Sequence, residues 1–208
     1  MNRTRWKEII AINLIIGLII LLPFLPGPSY LSRLANTLFN LLQIGSFFGL
    51  ILVPFGVFWA LQLGRKESNK RNILPILLFT VPVLVFTLSM WGADSARRLS
   101  RNVAIKNAGE LIDAIDRYKE KKHQYPATIV DLVPDYINGV PNPWIMGIAG
   151  YEYERKADTY NLVFIQNVLV GFNYEVVVYD PTKNHKAQGK LQTLYSTENS
   201  MWKYYIYD

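Results

Sequence analysis

Three long apolar stretches in the first 93 residues constrain the fold of this chain most, because none contains Asp, Glu, Lys, Arg or His. They span about residues 9–25, 38–63 and 73–92. Each approaches the roughly 20 residues that a helix needs to cross about 30 Å of hydrocarbon. One such stretch is compatible with a buried helix of a soluble protein, but three in succession predict a transmembrane region with three helices.

The first stretch follows a basic start, as the apolar part of a signal peptide does. No small-residue cleavage site stands directly after it, where the sequence reads LLPFLPGPSY. We therefore expect a retained anchor.

The distribution of charge predicts the orientation of these helices. The formal net charge of +6 over 208 residues arises entirely before residue 94. Its cations flank the apolar stretches, so they indicate topology rather than a nucleic-acid-binding face. The N-terminal tail and the link between the second and third stretches hold most of them, namely Arg3, Arg5 and Lys7, then Arg65, Lys66, Lys70 and Arg71.

The positive-inside rule then places the N-terminus and the second link in the cytoplasm. The first link has only Arg33. Residues 94–208 would lie across the membrane, in the periplasm or outside the cell, and the expected location is a bacterial inner membrane. Arg97, Arg98 and Arg101 argue against this orientation, although long translocated domains depend little on such charges.

Polar residues within the apolar stretches are few and uncharged. Ion pathways usually need ionisable groups inside the membrane, which disfavours a pump or transporter. Gly45 and Gly49 allow close helix packing, either within the chain or in a dimer. The prolines at 54, 75 and 82 are expected to kink their helices.

An amphipathic helix is predicted after residue 93. Its apolar stripe recurs at steps of three and four residues, and the helix should end near Lys121–His123 before Pro126. It either continues from the third span or begins anew after Gly92, capped by Asp94 or Ser95. The stripe consists of Ala104, Ala108, Leu111, Ile115 and Tyr118.

The rest of the chain predicts an antiparallel sheet packed against that helix, which is an α+β arrangement. A proline-rich loop with a short helix near 128–133 comes first. Aromatic and β-branched runs then predict strands at 151–155, 160–166, 174–179, 191–195 and 202–207. Aromatic residues crowd the last segment, which suits either sheet packing or partner docking at a sheet edge.

Residues 104–164 resemble the globular domain of type IV pilin-like proteins, most closely the major pseudopilin of type II secretion. The likeness lies in the order of a Tyr-Pro pair, a Leu-containing short helix, a Pro-x-Tyr turn, a loop ending in Pro-Trp and a Tyr-x-Tyr strand. The matching residues are Tyr125, Pro126, Leu132, Pro134, Tyr136, Pro141, Pro143, Trp144, Tyr151 and Tyr153.

The departures from that family are equally informative. No Gly-aromatic leader junction precedes the first stretch, Glu8 stands before it, and two further spans follow. Asn142 replaces the Asp that usually precedes Pro-Trp. The family's calcium site is not transferred to this chain, because its ligands cannot be matched to residues here. The resemblance therefore implies a pilin-like fold fixed in the membrane rather than a pilus subunit that is cleaved and extracted.

The sequence contains no recognisable catalytic, cofactor or metal set. It has no cysteine and two histidines, His123 and His185, both in polar surroundings. Neither lies in a zinc-ligand spacing, and no base is placed beside a Ser or Thr nucleophile. Asp113 and Asp116 are best explained as solvated charges on a helix face.

These observations predict a non-enzymatic, multi-pass membrane protein of the cell envelope, without cofactor or metal. Its partners would be the lipid bilayer and other envelope proteins, with oligomerisation possible and a role related to secretion or pili. Two alternatives remain, an accessory subunit of a transporter or channel and a ligand-sensing external domain.

Overall fold

The computed structural model describes residues 3–63 and 72–208. Within them, helices come first and a five-stranded antiparallel sheet follows. The helices are α1 (Arg3–Leu21), α2 (Ser32–Gly49), α3 (Val53–Leu63), α4 (Leu74–Thr87), α5 (Ala93–Asn107) and α6 (Gly109–Lys122). The strands are β1 (Glu152–Arg155), β2 (Tyr160–Leu169), β3 (Asn173–Tyr179), β4 (Tyr195–Ser196) and β5 (Trp202–Tyr207). The predicted combination of long apolar helices with an antiparallel sheet is confirmed.

Three continuous helical segments are long and apolar enough to cross a membrane, judged by length and composition. They cover Arg3–Phe24, Ser29–Gln62 and Leu74–Lys122. We call the first two span 1 and span 2, and we call the apolar part of the third, residues 74–92, span 3. The basic link with Arg65, Lys66, Lys70 and Arg71 lies outside the described residues.

Span 2 begins earlier than the predicted residue 38. Its first turns are held against the C-terminal part of the chain, where Asn36 Nδ2 donates to the Gly147 carbonyl oxygen over 2.9 Å. A short 3₁₀ turn, Leu50–Leu52, separates α2 from α3. Pro54 explains this turn, because a proline has no N–H to donate to the carbonyl of residue 50.

Span 3 runs into the amphipathic helix without a break, which resolves the question left open at Gly92. A π-helical turn, Leu88–Gly92, joins α4 to α5, and the Ala93 N–H donates to the Leu88 carbonyl. Asp94 and Ser95 therefore cap no new helix. Pro75 lies in the first turn of α4, where it requires no kink, whereas Pro82 lies inside that helix.

Small residues bring the spans together. A Cβ at residue 49 would lie 2.8 Å from Pro82 Cγ, so Gly49 permits the contact between spans 2 and 3. A Cβ at residue 45 would have no neighbour within 4 Å, so only Gly49 of the predicted glycine pair makes a close helix contact within the chain. Spans 1 to 3 share a buried cluster that includes Ile20, Phe24, Phe39 and Val85.

The main core lies between the sheet and the continuous α5–α6 helix. Ala104, Ala108, Leu111 and Ile115 of the predicted stripe are fully buried against the sheet. Full burial of a Leu or Ile side chain contributes about 1.5–3 kcal/mol relative to exposure, so this face holds the helix firmly. The α6 helix ends at His123, whose φ of 56° closes it in the left-handed conformation.

The strand order is β1-β2-β3-β5-β4. Four predicted strands are confirmed, with β2 extending beyond Gln166 to Leu169. The strand predicted over 191–195 is wrong over most of its length, since only Tyr195–Ser196 pairs with β5. Residues 181–194 instead cross a face of the sheet, where Ala187 and Leu194 pack on it through side chains.

A second contact joins the two parts of the chain. The link between spans 1 and 2 lies against the proline-rich loop, with a bridge between Pro26 and Ile145. The Gly27 amide donates to the Trp144 carbonyl over 3.0 Å, and the Met146 amide donates to the Leu25 carbonyl over 3.0 Å. The C-terminal domain is thus attached to the spans by the helix and by this loop pairing.

Candidate functional site: a groove on the outer face of the sheet

The two faces of the sheet have different partners because alternate residues of a strand point to opposite sides. Leu162, Phe164 and Val177 point inward to the helix. Val163, Val176 and Val178 point outward, together with Tyr205 of β5, and form a second buried cluster. Ala187 and Leu194 cover part of this outer cluster, and we call their segment, residues 181–194, the strap.

A groove of about 730 Å³ lies beside the strap on the outer face. Its floor consists of the valines of the outer cluster and Ile165, which is 39% exposed. The polar walls come from β1 and the turn after it, from the start of β2, and from Asp180 and the strap. The wall residues with ionisable or amide side chains are Glu152, Glu154, Lys156, Asn161, Asp180, Asn184, Lys186 and Gln188.

Among the described residues that line the groove, two side-chain oxygens, Thr159 Oγ1 and Asn161 Oδ1, are buried and make no hydrogen bond. Burial raises the pKa of the Tyr205 hydroxyl, with further contributions from Glu154 and Tyr207. An apolar floor with a few convergent polar groups is typical of sites that bind ligands or extended peptides.

The groove lacks the geometry of a catalytic centre in the described residues. His185 lies near one end, and its Nε2 is 3.0 Å from the Met201 carbonyl oxygen. No group of three or more His, Cys, Asp or Glu in residues 3–63 and 72–208 is placed to hold a metal ion. His123, Asp113 and Asp116 are exposed on α6 or at its end, away from the groove.

A buried ion cluster lies on the inner face, below the groove. Glu175 of β3 lies between two arginines of α5, with Arg101 Nε 2.9 Å from Oε1 and Arg97 Nε 3.5 Å from Oε2. Gln166 Nε2 donates to Glu175 Oε1 over 2.9 Å, and the Ser100 hydroxyl donates to Gln166 Oε1. Burial raises the pKa of Glu175, while Arg101, Arg97 and Gln166 oppose that rise.

The ion cluster joins the first turns beyond span 3 to the centre of the sheet. Arg97 also pairs with Asp94 over 3.1 Å, and Arg101 lies 3.7 Å above the centre of the Tyr204 ring. The cluster therefore fixes the rotation of α5 relative to the strands. Its residues connect parts of the molecule and leave no room for a substrate, so we assign it a structural role.

Half of the ten residues of the pilin-like pattern belong to or pack against the main core, and none of the ten lines the groove. Tyr151 and Leu132 are buried there, and Tyr125, Tyr136 and Tyr153 pack against them. The Tyr151 hydroxyl donates to the Ala104 carbonyl over 2.6 Å. The Tyr153 hydroxyl donates to the Pro126 carbonyl over 3.0 Å. The motif thus fixes the loop to the helix and sheet.

The remaining motif residues shape the proline-rich loop. Pro143 is buried, and its carbonyl accepts from Asn107 over 2.9 Å, whereas Pro134 and Trp144 are exposed and Pro141 is half-buried. Asn142 stands where the pilin-like pattern has Asp. Its Oδ1 accepts a hydrogen bond from the Trp144 amide over 2.7 Å and one from the Ser29 hydroxyl over 2.6 Å. That oxygen connects the loop to the link between spans 1 and 2.

The aromatic residues of the last segment are mostly used in packing. Trp202 is buried in the main core, and Tyr205 is buried on the outer face. Tyr195 and Tyr204 stack with their ring centres 5.1 Å apart. The sequence singled out these aromatics but gave no signal for the groove, because its strap wall comes from residues 182–188, which form no strand and reach the sheet only in the folded chain.

Comparisons with known proteins do not assign the chain to a family. No protein-family model matches the chain, and neither curated proteins nor solved structures give a match.

Proposed function

We propose that residues 94–208 form a non-enzymatic, pilin-like interaction domain, held at the outer surface of a bacterial inner membrane by spans 1 to 3. The domain would present the outer-face groove to other proteins of the cell envelope, in a role related to secretion or to pili. The proposed topology has the N-terminus in the cytoplasm and the domain across the membrane.

The observation that carries this proposal is the groove itself. Its valine floor and exposed Ile165 offer apolar contact area, and its polar walls offer hydrogen bonds to a peptide backbone. A groove of this kind fits an extended segment of a partner better than a flat surface does. The long helix covering one face of an antiparallel sheet also agrees with the pilin-like resemblance.

Pairing of the arginines after span 3 supports the proposed orientation. Arg97, Arg98 and Arg101 argued against placing the domain outside the cytoplasm. Arg97 and Arg101 are ion-paired with Glu175, and Arg97 and Arg98 are both paired with Asp94. The two carboxylates offset two of these three positive charges, so the segment carries fewer free cations than its sequence suggests.

The polar residues of the spans favour anchoring over transport. Asn13 Nδ2 donates to the Ile9 carbonyl over 2.8 Å and lies 3.3 Å from Thr80 Oγ1, joining spans 1 and 3. Gln43 Oε1 accepts from the Val170 amide over 2.6 Å, joining span 2 to the domain. Side chains used in such contacts hold the structure together and are poorly placed to line a pathway.

Site-directed crosslinking in native membranes tests the interaction proposal. The chain has no cysteine, so Lys186→Cys in the strap wall and Lys122→Cys at the far end of α6 can each carry a benzophenone maleimide. We expect a defined adduct with an envelope protein from position 186, weakened by Ile165→Asp on the groove floor. Identical adducts from both positions, or none from position 186, would contradict the proposal.

A ligand-sensing domain is the second candidate, and the groove volume of about 730 Å³ with its polar walls favours it. Asn161 is among the residues that line the groove. Thermal-shift screening of the purified full-length protein against small polar metabolites tests this candidate. A compound that raises the melting temperature of the native protein but not of Asn161→Leu supports sensing, and uniform responses oppose it.

A further inference from the structure

The hairpin between β2 and β3 ends in an apolar tip that points back toward the spans. Its sequence is Leu169-Val170-Gly171-Phe172, and the Phe172 amide closes the turn on the Leu169 carbonyl over 2.8 Å. Phe172 is 76% exposed in the isolated chain. A water-facing hairpin tip would normally carry polar turn residues.

The backbone of this turn is unusual for its residues. Val170 has φ of 47° and Gly171 has φ of 70°, which are the values of a turn that favours Asn-Gly. A β-branched residue at positive φ is disfavoured sterically. An apolar residue therefore occupies a position where a polar one would be both easier to accommodate and better hydrated.

Span 2 fixes the position of the tip relative to the membrane. The Val170 amide donates to Gln43 Oε1 over 2.6 Å, and a Cβ at residue 171 would lie 3.0 Å from Asn40 Nδ2. From Gln43 to Gln62, where span 2 ends, the helix rises about 28 Å at about 1.5 Å per residue. This length matches the roughly 30 Å thickness of the hydrocarbon core.

Span 3 gives an independent estimate of the same boundary. From Leu74 to Trp91 the helix rises about 26 Å. Trp91 is 69% exposed, and tryptophan is enriched at the interface between hydrocarbon and headgroups. Gln43 thus lies about one hydrocarbon thickness from Gln62 at the end of span 2, and Trp91 lies about the same distance from Leu74 at the start of span 3.

We propose that the hairpin tip, residues 169–172, inserts into the interfacial layer of the lipid bilayer, with Phe172 contacting acyl chains. The tip thereby acts as an additional anchor that holds the sheet at a fixed height above the membrane. This inference rests on the spans lying in lipid, which belongs to the proposed function, and is independent of what the groove binds.

Fluorescence quenching in liposomes tests this inference on the full-length protein. The cysteine-free chain permits Phe172→Cys labelled with an environment-sensitive fluorophore. Val130→Cys, 67% exposed near the far end of α6, serves as the water-facing control. Phe58→Cys, 63% exposed on α3, serves as the lipid-facing control.

We expect lipids carrying acyl-chain nitroxides to quench position 172 several-fold more than position 130, while aqueous iodide does the reverse. Iodide quenching of position 172 equal to that of position 130 would overturn the inference, as would protection from both quenchers, which would indicate a protein partner. If position 58 also escapes the lipid nitroxides, the membrane assignment itself fails.

Discussion

The amide of Gly147 lies 2.7 Å from the carbonyl oxygen of Pro23, and this hydrogen bond joins the chain just after the proline-rich loop to the end of span 1. The approach is close enough to exclude a side chain. A Cβ at residue 147 would lie 2.7 Å from Pro23 Cβ and would overlap the Pro23 carbonyl group. Glycine is therefore required here for close backbone contact rather than for an unusual φ.

Gly147→Ala should weaken the attachment of the domain to the spans. We expect a loss of about 1–3 kcal/mol of stability, the usual cost of forcing an extra carbon into a packed contact. Thermal unfolding of the purified protein measures the loss. Gly150→Ala is the matched control, since a Cβ there has no neighbour within 4 Å. Equal behaviour of the two variants would contradict the docking described here.

Glu175→Ala should be far more damaging than an ordinary surface change. It leaves Arg97 and Arg101 buried without their shared partner, which typically costs about 3–5 kcal/mol. The melting temperature should fall by roughly 10 °C or more. Glu154→Ala, at an exposed position of β1, should change stability by no more than about 0.5 kcal/mol. A Glu175→Ala protein as stable as its control would refute the role of the ion cluster.

The buried tyrosines predict a loss of stability in alkaline solution. Burial raises the pKa of Tyr153 to about 12, and it also raises the pKa values of Tyr151, Tyr160, Tyr179 and Tyr205. The neutral phenols are favoured in the fold, so their contribution is complete below about pH 10, the pKa of an unfolded tyrosine. For Tyr153 it is lost as the pH rises from about 10 to 12.

Near-ultraviolet absorbance and circular dichroism recorded together check this expectation. These five tyrosines should ionise only above pH 10, together with loss of the tertiary signal. Tyr153→Phe should remove one late-titrating group and should cost about 1 kcal/mol through its lost hydrogen bond to Pro126. An absorbance change that is complete near pH 10, with an intact tertiary signal and no later step, would count against the described core.

The sequence predicted the elements whose signals are local. The length of the uncharged apolar stretches predicted the three spans. The recurrence of apolar residues every three or four positions predicted the buried stripe of α5 and α6, and runs of aromatic and β-branched residues predicted four of the strands. The strand predicted over Leu191–Tyr195 was wrong, because apolar residues in this segment are also typical of a strand. In the structure, Leu194 packs on the outer face through its side chain, and little backbone pairing is formed.

The features that required long-range pairing were not predictable. In the sequence, Gln43 is an isolated polar residue within a predicted span. Its hydrogen-bond partner, the Val170 amide, lies 127 residues away, so no local pattern predicts the contact. Arg97 and Arg101 read as topological signals, because nothing local indicates that Glu175 will be placed between them. The groove likewise arises only when the strap folds back over the sheet.

Maleimide labelling from one side of the membrane tests the central claim most directly. Thr4→Cys near the start of α1 and Asp158→Cys between β1 and β2 each introduce a single thiol into the cysteine-free chain. In intact right-side-out vesicles, a membrane-impermeant maleimide should label position 158 at once and position 4 only after permeabilisation. Labelling of both positions in intact vesicles, or of position 4 alone, would contradict a chain that crosses the bilayer three times and presents its C-terminal domain on the outer side.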